Sequence, residues 1–360
     1  MAARLTRSLC IGFALLCALS VSAQEAAQRS PVAPPALYTN PVLNEDFPDP
    51  TVLRASDGWF YVYATNRRVN KTWLNIQVAR SRDLVQWEQL GDALPGKPKW
   101  AREKQKFWAP DVSEHGGTFY MYYAVEPDND AGMCLAVATA QRPQGPFVDS
   151  GQPLRCGEGF AYLDPQAFDD PQTGKHLLYY GSGFAPIRVQ ELSADRLRFA
   201  PNSRALDLIS PTRSSSPQNY ANLVEGAWVI ERAGIYYLFY SGDNCCGEKA
   251  HYAVMVARAK SALGPFETLA HATGAQEEAG ASVILARSDV WLAPGHNSVI
   301  RDAAGQDWIV YHAINKADFK AAGYSPRVML IDRLIYRDGF PHVAGGMPTS
   351  TPQRAPVIKP

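Results

Sequence analysis

Cysteine is scarce in this chain, six in 360 residues, and the seven histidines stand singly, so no spacing supplies the Cys/His cluster of a structural zinc site. An excess of either charge is also lacking. Lys and Arg number 35 against 35 for Asp and Glu, which provides neither a basic face for nucleic acid nor a polybasic patch for an anionic membrane. Long apolar runs are confined to about Leu9–Leu19 in "MAARLTRSLCIGFALLCALSVSAQ". That run is too short to cross a bilayer. With Arg4 and Arg7 before it and Val21 and Ala23 after it, residues 1–23 read as a Sec-type signal peptide, and the expected destination is secreted or periplasmic with no membrane partner. Leu16 stands where a lipobox has Gly or Ala, which argues against lipidation at Cys17.

Without the leader, 33 basic and 35 acidic residues remain, with Cys134, Cys156, Cys245 and Cys246. In an oxidising compartment a Cys134–Cys156 bridge is expected. The adjacent Cys245 and Cys246 leave two readings open, a vicinal disulfide or two side chains on opposite faces of a strand. Residues 24–36, "QEAAQRSPVAPPA", form a Pro-rich lead-in, and 37–360 are expected to be one folded, monomeric domain. Helical patterning is missing as well. No stretch longer than about ten residues keeps a 3.6-residue apolar period.

What the chain has instead is a repeat of aromatics. The runs "WFYVYA" (59–64), "TFYMYYA" (118–124), "HLLYYGS" (176–182), "IYYLFYS" (235–241) and "DWIVYHA" (307–313) align on Ala64, Ala124, Gly181, Ser241 and His312, spaced 60, 57, 60 and 71 residues apart. Each follows a short apolar segment and a turn with Gly at or near its tip, which is a hairpin signal. A period of that size accommodates one four-stranded sheet. Five such units make an all-β protein, a five-bladed β-propeller.

Upstream of each run stands a polar residue at nearly constant distance from the alignment point: Asp49 (15 before), Asp111 (13), Asp164 (17), Glu225 (16) and His296 (16). The first strand of a propeller blade is innermost, so this register aims all five at one mouth of the axial channel. Any one of them alone reads as a turn or cap residue. Carboxylates brought together cannot all ionise normally, and a pocket that keeps one ionised and another protonated is what glycosidic hydrolysis requires. A calcium cage is the competing use, but it usually draws several ligands from one short Asp/Asn/Gly-rich loop.

The motifs "DFPDPTVL", "FWAPDV", "YLDPQAF", "VEGAWVIERAGIYYLFYS" and "PGHNSVI", in that order, resemble glycoside hydrolase family 43 over roughly residues 38–350. The resemblance implies Asp49 as general base, Glu225 as general acid and Asp164 as the residue that tunes and orients the acid, with inversion at the anomeric carbon. It also implies substrate contacts from Arg327 in "SPRVMLIDRL", and a structural calcium ion beside His296, with no cofactor needed for the chemistry. Phe47, Trp108 and Asp111 flank or occupy the acidic register and are further candidates for the sugar site. The implied substrate is an oligosaccharide or polysaccharide with L-arabinofuranosyl linkages, since "YGSGFAPIRVQEL" and "NCCG" resemble arabinanase-like members. A β-D-xylosidase is the alternative, and a propeller that binds glycans without cleaving them is the alternative of another class.

Overall fold

The computed structural model describes residues 36–359, so the expected signal peptide and all but the last residue of the lead-in lie outside the described residues. Every aromatic run forms the second strand of an antiparallel sheet, as alternating Tyr, Phe and β-branched residues favour. Blade one is Thr51–Arg54, Phe60–Ala64, Gln77–Ser81 and Trp87–Asp92. Blade two is Phe107–His115, Thr118–Val125, Met133–Ala140 and Val148–Asp149, with Arg155–Gly157 added beside its third strand. Blade three is Gln166–Asp169, His176–Tyr180, Ile187–Glu191 and Leu206–Ile209. Blade four is Val224–Arg232, Ile235–Asn244, His251–Ala259 and Glu267–Thr268, with Val283–Leu285 also on its third strand. Blade five is Trp291–Arg301, Asp307–Asn315, Val328–Arg337 and Phe340–Val343. The hairpins are tight where the sequence has turn residues: Ala233 and Gly234 both take positive φ, 52° and 82°, between Arg232 and Ile235.

The apolar core lies in the seams between blades. Tyr61, Tyr63 and Val78 of blade one meet Phe107, Met121 and Tyr123 of blade two, and comparable clusters fill the other four seams. Each blade is one contiguous stretch of chain, so the ring closes without strand exchange. Closure falls to the flanking segments. Leu37–Tyr38 pairs antiparallel with Gln353–Arg354, Leu43 bridges to Met329, and Asn40 both donates to the Ile331 carbonyl (2.9 Å) and accepts from the Ile331 N–H (3.0 Å).

One backbone feature recurs at the head of every innermost strand. Asp49, Ala109, Asp164, Gly226 and His296 all adopt the left-handed conformation, with φ of 58°, 44°, 56°, 61° and 49°. For residues with a Cβ this is a strained state that surrounding structure must enforce. Two residues later Thr51, Asp111, Gln166, Trp228 and Ser298 pair with Tyr63, Tyr122, Tyr179, Phe239 and Val310. Four of these five side chains reach the next blade. Thr51 donates to the Pro110 carbonyl (2.6 Å), Asp111 accepts from Ala167 N–H (2.7 Å), Gln166 accepts from Val229 N–H (3.2 Å), and Ser298 accepts from Val52 N–H (3.2 Å).

Asp111 thus departs from the sequence expectation. The position equivalent to Asp49 and Asp164 in blade two is Ala109, because Asp49–Pro50, Ala109–Pro110 and Asp164–Pro165 align, and Asp111 stands two residues deeper as an inter-blade latch.

Candidate active site

The left-handed turn carries the Asp49 and Asp164 side chains into a pocket of about 330 Å³ at one mouth of the channel, where Glu225 and His296 meet them. Asp49 is buried. Its Oδ2 accepts from the Thr65 hydroxyl (2.5 Å), and its Oδ1 lies 3.1 Å from Arg327 Nη1 and 3.4 Å from Nδ1 of both His296 and His312. The His312 contact is not an ion pair. Asp49 N–H donates to His312 Nδ1 (3.1 Å), so that nitrogen carries no proton, and burial together with Arg327 holds this imidazole neutral, well below the usual histidine range. Burial raises the Asp49 carboxyl, but the Arg327 cation and the Thr65 hydrogen bond outweigh it, leaving the group below the usual carboxylate range and ionised.

The other two carboxyls stand in a different field. Burial, then the neighbouring Glu225 and Asp49, push Asp164 well above the usual carboxylate range. Its Oδ2 accepts the Gly226 N–H (3.1 Å). Glu225 is clamped at both oxygens, Oε1 by the Tyr252 hydroxyl (2.6 Å) and Oε2 by the Ser182 hydroxyl (2.7 Å). Tyr252 lies parallel to His312, ring centres 5.9 Å apart, and a Cβ at Gly295 would overlap its ring. A single pocket therefore holds a carboxyl pulled below the usual range at one side and, at the other, one pushed above it beside a clamped one.

The sequence pattern of the Glycosyl hydrolases family 43 matches residues 38–341. This chain belongs to that family. It is a glycosidase. Among curated family 43 relatives, the chain is 25% identical over 315 residues to the extracellular exo-α-(1→5)-L-arabinofuranosidase of Cellvibrio japonicus, covering 83% of this chain and 86% of the relative. It is likewise 25% identical over 308 residues to the extracellular endo-α-(1→5)-L-arabinanase 1 of Bacillus subtilis, covering 83% and 88%. The crystal structure of a thermostable family-43 glycoside hydrolase superposes with a TM-score of 0.71 at 30% identity, over 89% of this chain and 99% of that one.

Within this family 43 pocket, Asp49, Asp164, Glu225, His296, Arg327 and Trp108 all contribute to the lining. Phe47 does not. It is 1% exposed and packs with Tyr38, Val52 and Trp308 in the seam between blades five and one, so it is a core residue rather than a wall for sugar. Asp111 lines a separate cavity with Ser113, Gln166 and Trp228, further along the inner strands. Cys134 and Cys156 are bonded across paired strands, and Cys245 and Cys246 are joined to each other on the pocket wall. Leu223, the last residue of the Ser-rich loop 210–223, also lines the pocket.

Donor atoms of Asp164, Glu225 and His296 lie within 4.8 Å of one another. Calcium takes six to eight oxygens. This set offers two carboxylates whose oxygens already accept hydrogen bonds, plus a ring nitrogen, and does not fit calcium caged by side chains.

Thr65, Ser182, Tyr252 and His312 are the residues that sequence reasoning missed. Thr65 directly follows the first aromatic run and Ser182 ends the third, both just past the second strand, and His312 was itself an alignment point. That position faces the same mouth as the inner-strand register.

Proposed function

We propose that this chain is an exported, inverting glycosidase that cleaves L-arabinofuranosyl linkages of arabinan-type polysaccharide. The observation that carries this is the opposed state of the pocket's carboxyls. Asp49, ionised beside Arg327, is the general base that takes a proton from water. Glu225 is the general acid that protonates the leaving oxygen, and Asp164, whose carboxyl is pushed up by burial and by Glu225, tunes that acid and orients it through the Gly226 N–H next to it. Arg327 and Trp108 would bind the sugar. Both curated relatives described above are named for α-(1→5)-L-arabinosyl substrates and as extracellular, which supports the substrate class and the export.

The decisive experiment is hydrolysis of 4-nitrophenyl α-L-arabinofuranoside and β-D-xyloside, with the first-formed anomer read by proton NMR. Faster arabinoside turnover with the inverted anomer is expected. Faster xyloside turnover would move the substrate class to xylosides, retention of configuration would sink the base role of Asp49, and saturable oligosaccharide binding without hydrolysis at any pH would indicate a binding protein. The chemistry routes no step through a metal. An axial calcium ion would be structural, mostly hydrated, with His296 beside it, and EDTA should then lower the melting temperature.

A further inference from the structure

The pocket continues past Trp108 and Arg327. On that side it adjoins an annex of about 450 Å³, which shares Thr65, Trp108 and Arg327 with it and is further lined by Trp73 and Tyr324. Trp73 sits on the small hairpin Arg67–Val69/Thr72–Leu74, and Tyr324 on the loop before Val328–Arg337. They are 42% and 54% exposed and belong to none of the apolar clusters among the described residues. Large aromatics left in water beside a cleft mark a binding surface, and their flat faces match the C–H face of a sugar.

The annex is also held in shape. Tyr324 donates its hydroxyl to Asp46 Oδ1 (2.6 Å), and the same oxygen accepts the Arg327 N–H (3.0 Å). Arg67 pairs with Glu45 (2.5 Å), and the Arg68 guanidinium lies 6.0 Å from the Trp73 ring centre. The acids Glu45 and Asp46 are thereby rim residues that brace the annex.

Its position relative to the chemistry decides which sugar it would take. The annex shares with the pocket Thr65 and Arg327, the side chains that hold Asp49, whereas Glu225 and its clamp Ser182 and Tyr252 come from blades three and four. The leaving group departs toward the acid. A ring in the annex is therefore attached to the sugar that stays behind.

We propose that Trp73 and Tyr324 bind the next pentose on the non-reducing side of the cleaved bond, so that products carry two or more sugars. This rests on the roles given to Asp49 and Glu225 above. The test is a time course on linear α-1,5-arabino-oligosaccharides reduced at one end, with products separated by chromatography, alongside kinetics on 4-nitrophenyl α-L-arabinofuranoside. Disaccharide or longer products are expected first. Trp73→Ala and, independently, Tyr324→Ala should lower the ratio of kcat/KM on the oligosaccharide to that on the aryl glycoside by about tenfold, chiefly through KM. Release of single arabinose from the first time points by an active enzyme, or ratios that stay within about twofold in both variants, overturns this inference alone. No hydrolysis of the oligosaccharide, the aryl arabinoside or the xyloside removes the catalytic assignment and this inference together.

Discussion

Glu225 has two hydroxyl donors on its carboxyl, yet an acid catalyst must carry a proton when the glycosidic bond breaks, and the neighbouring carboxyl that favours its own protonated form is Asp164. Two expectations follow from that arrangement. Glu225→Ala should lower kcat on natural glycosides by about 10²–10⁴-fold but on 4-nitrophenyl glycosides by less than about tenfold, because a good leaving group hardly needs protonation. Equal losses on both substrates would remove Glu225 from the acid role. Asp164 and Glu225 titrate as a pair, so Asp164→Asn removes the second negative charge that the pair would carry on losing its last proton, and that last proton leaves more easily. The alkaline limb of log kcat/KM against pH should then move to lower pH by on the order of one unit, and the acidic limb, set by the low-lying Asp49, should move less. An alkaline limb that stays in place would leave Asp164 a purely steric role. The three acids were legible in the sequence because they recur at one phase of a repeat. Thr65, Ser182 and Tyr252 were not, since a hydroxyl on a second or third strand has no such marker and is assigned only when the sheet's pairing is known.

At the level of strands, the innermost ones use residues two apart for two jobs. In blades one, three and five the left-handed residue points its side chain at the pocket, and in every blade but the fourth the residue two further on ties its blade to the next. Counting back from the aromatic runs blurred these two positions by a residue or two, which is how Asp111 came to stand for a site residue. The proline after Asp49, Ala109 and Asp164 is the sequence mark that separates them. The latch role has a measurable cost. Burial pushes Asp111 up to about 7 from an ordinary 3.8, against the backbone N–H groups that lower it. Between about pH 4 and pH 7 the folded protein holds a proton that the unfolded chain has lost, so this group makes stability fall as pH rises through that window and level off above it. Asp111→Asn keeps an acceptor for Ala167 N–H and removes the titration. In urea unfolding at pH 4 and pH 8, the variant should gain on the wild type by about 1–4 kcal/mol at the higher pH. Parallel stability profiles would mean that Asp111 is solvated in solution.

For the molecule as a whole, the sheet count, blade order and all-β class followed from five aromatic runs, because a buried second strand must be apolar on both faces and so stands out in any sequence. Ring closure did not follow. It depends on Tyr38, Asn40 and Leu43 reaching residues nearly three hundred positions away, and no local pattern encodes such contacts. Asn40→Ala leaves the Ile331 N–H without its buried acceptor, while the Ile331 carbonyl keeps the Tyr38 hydroxyl, and should destabilise the fold by about 1–3 kcal/mol in urea, with the active pocket unaltered. The pairing of Leu37–Tyr38 with Gln353–Arg354 also makes the two ends of the ring hydrogen-bonded neighbours, while each blade is complete in itself. A circular permutant is therefore accessible: residues 37–359 with their ends joined by a short Gly/Ser linker and a new start cut between the exposed Pro95 and Gly96, in the connection from blade one to blade two. It should fold to the same circular dichroism spectrum and keep its glycosidase activity, with blade one now made last.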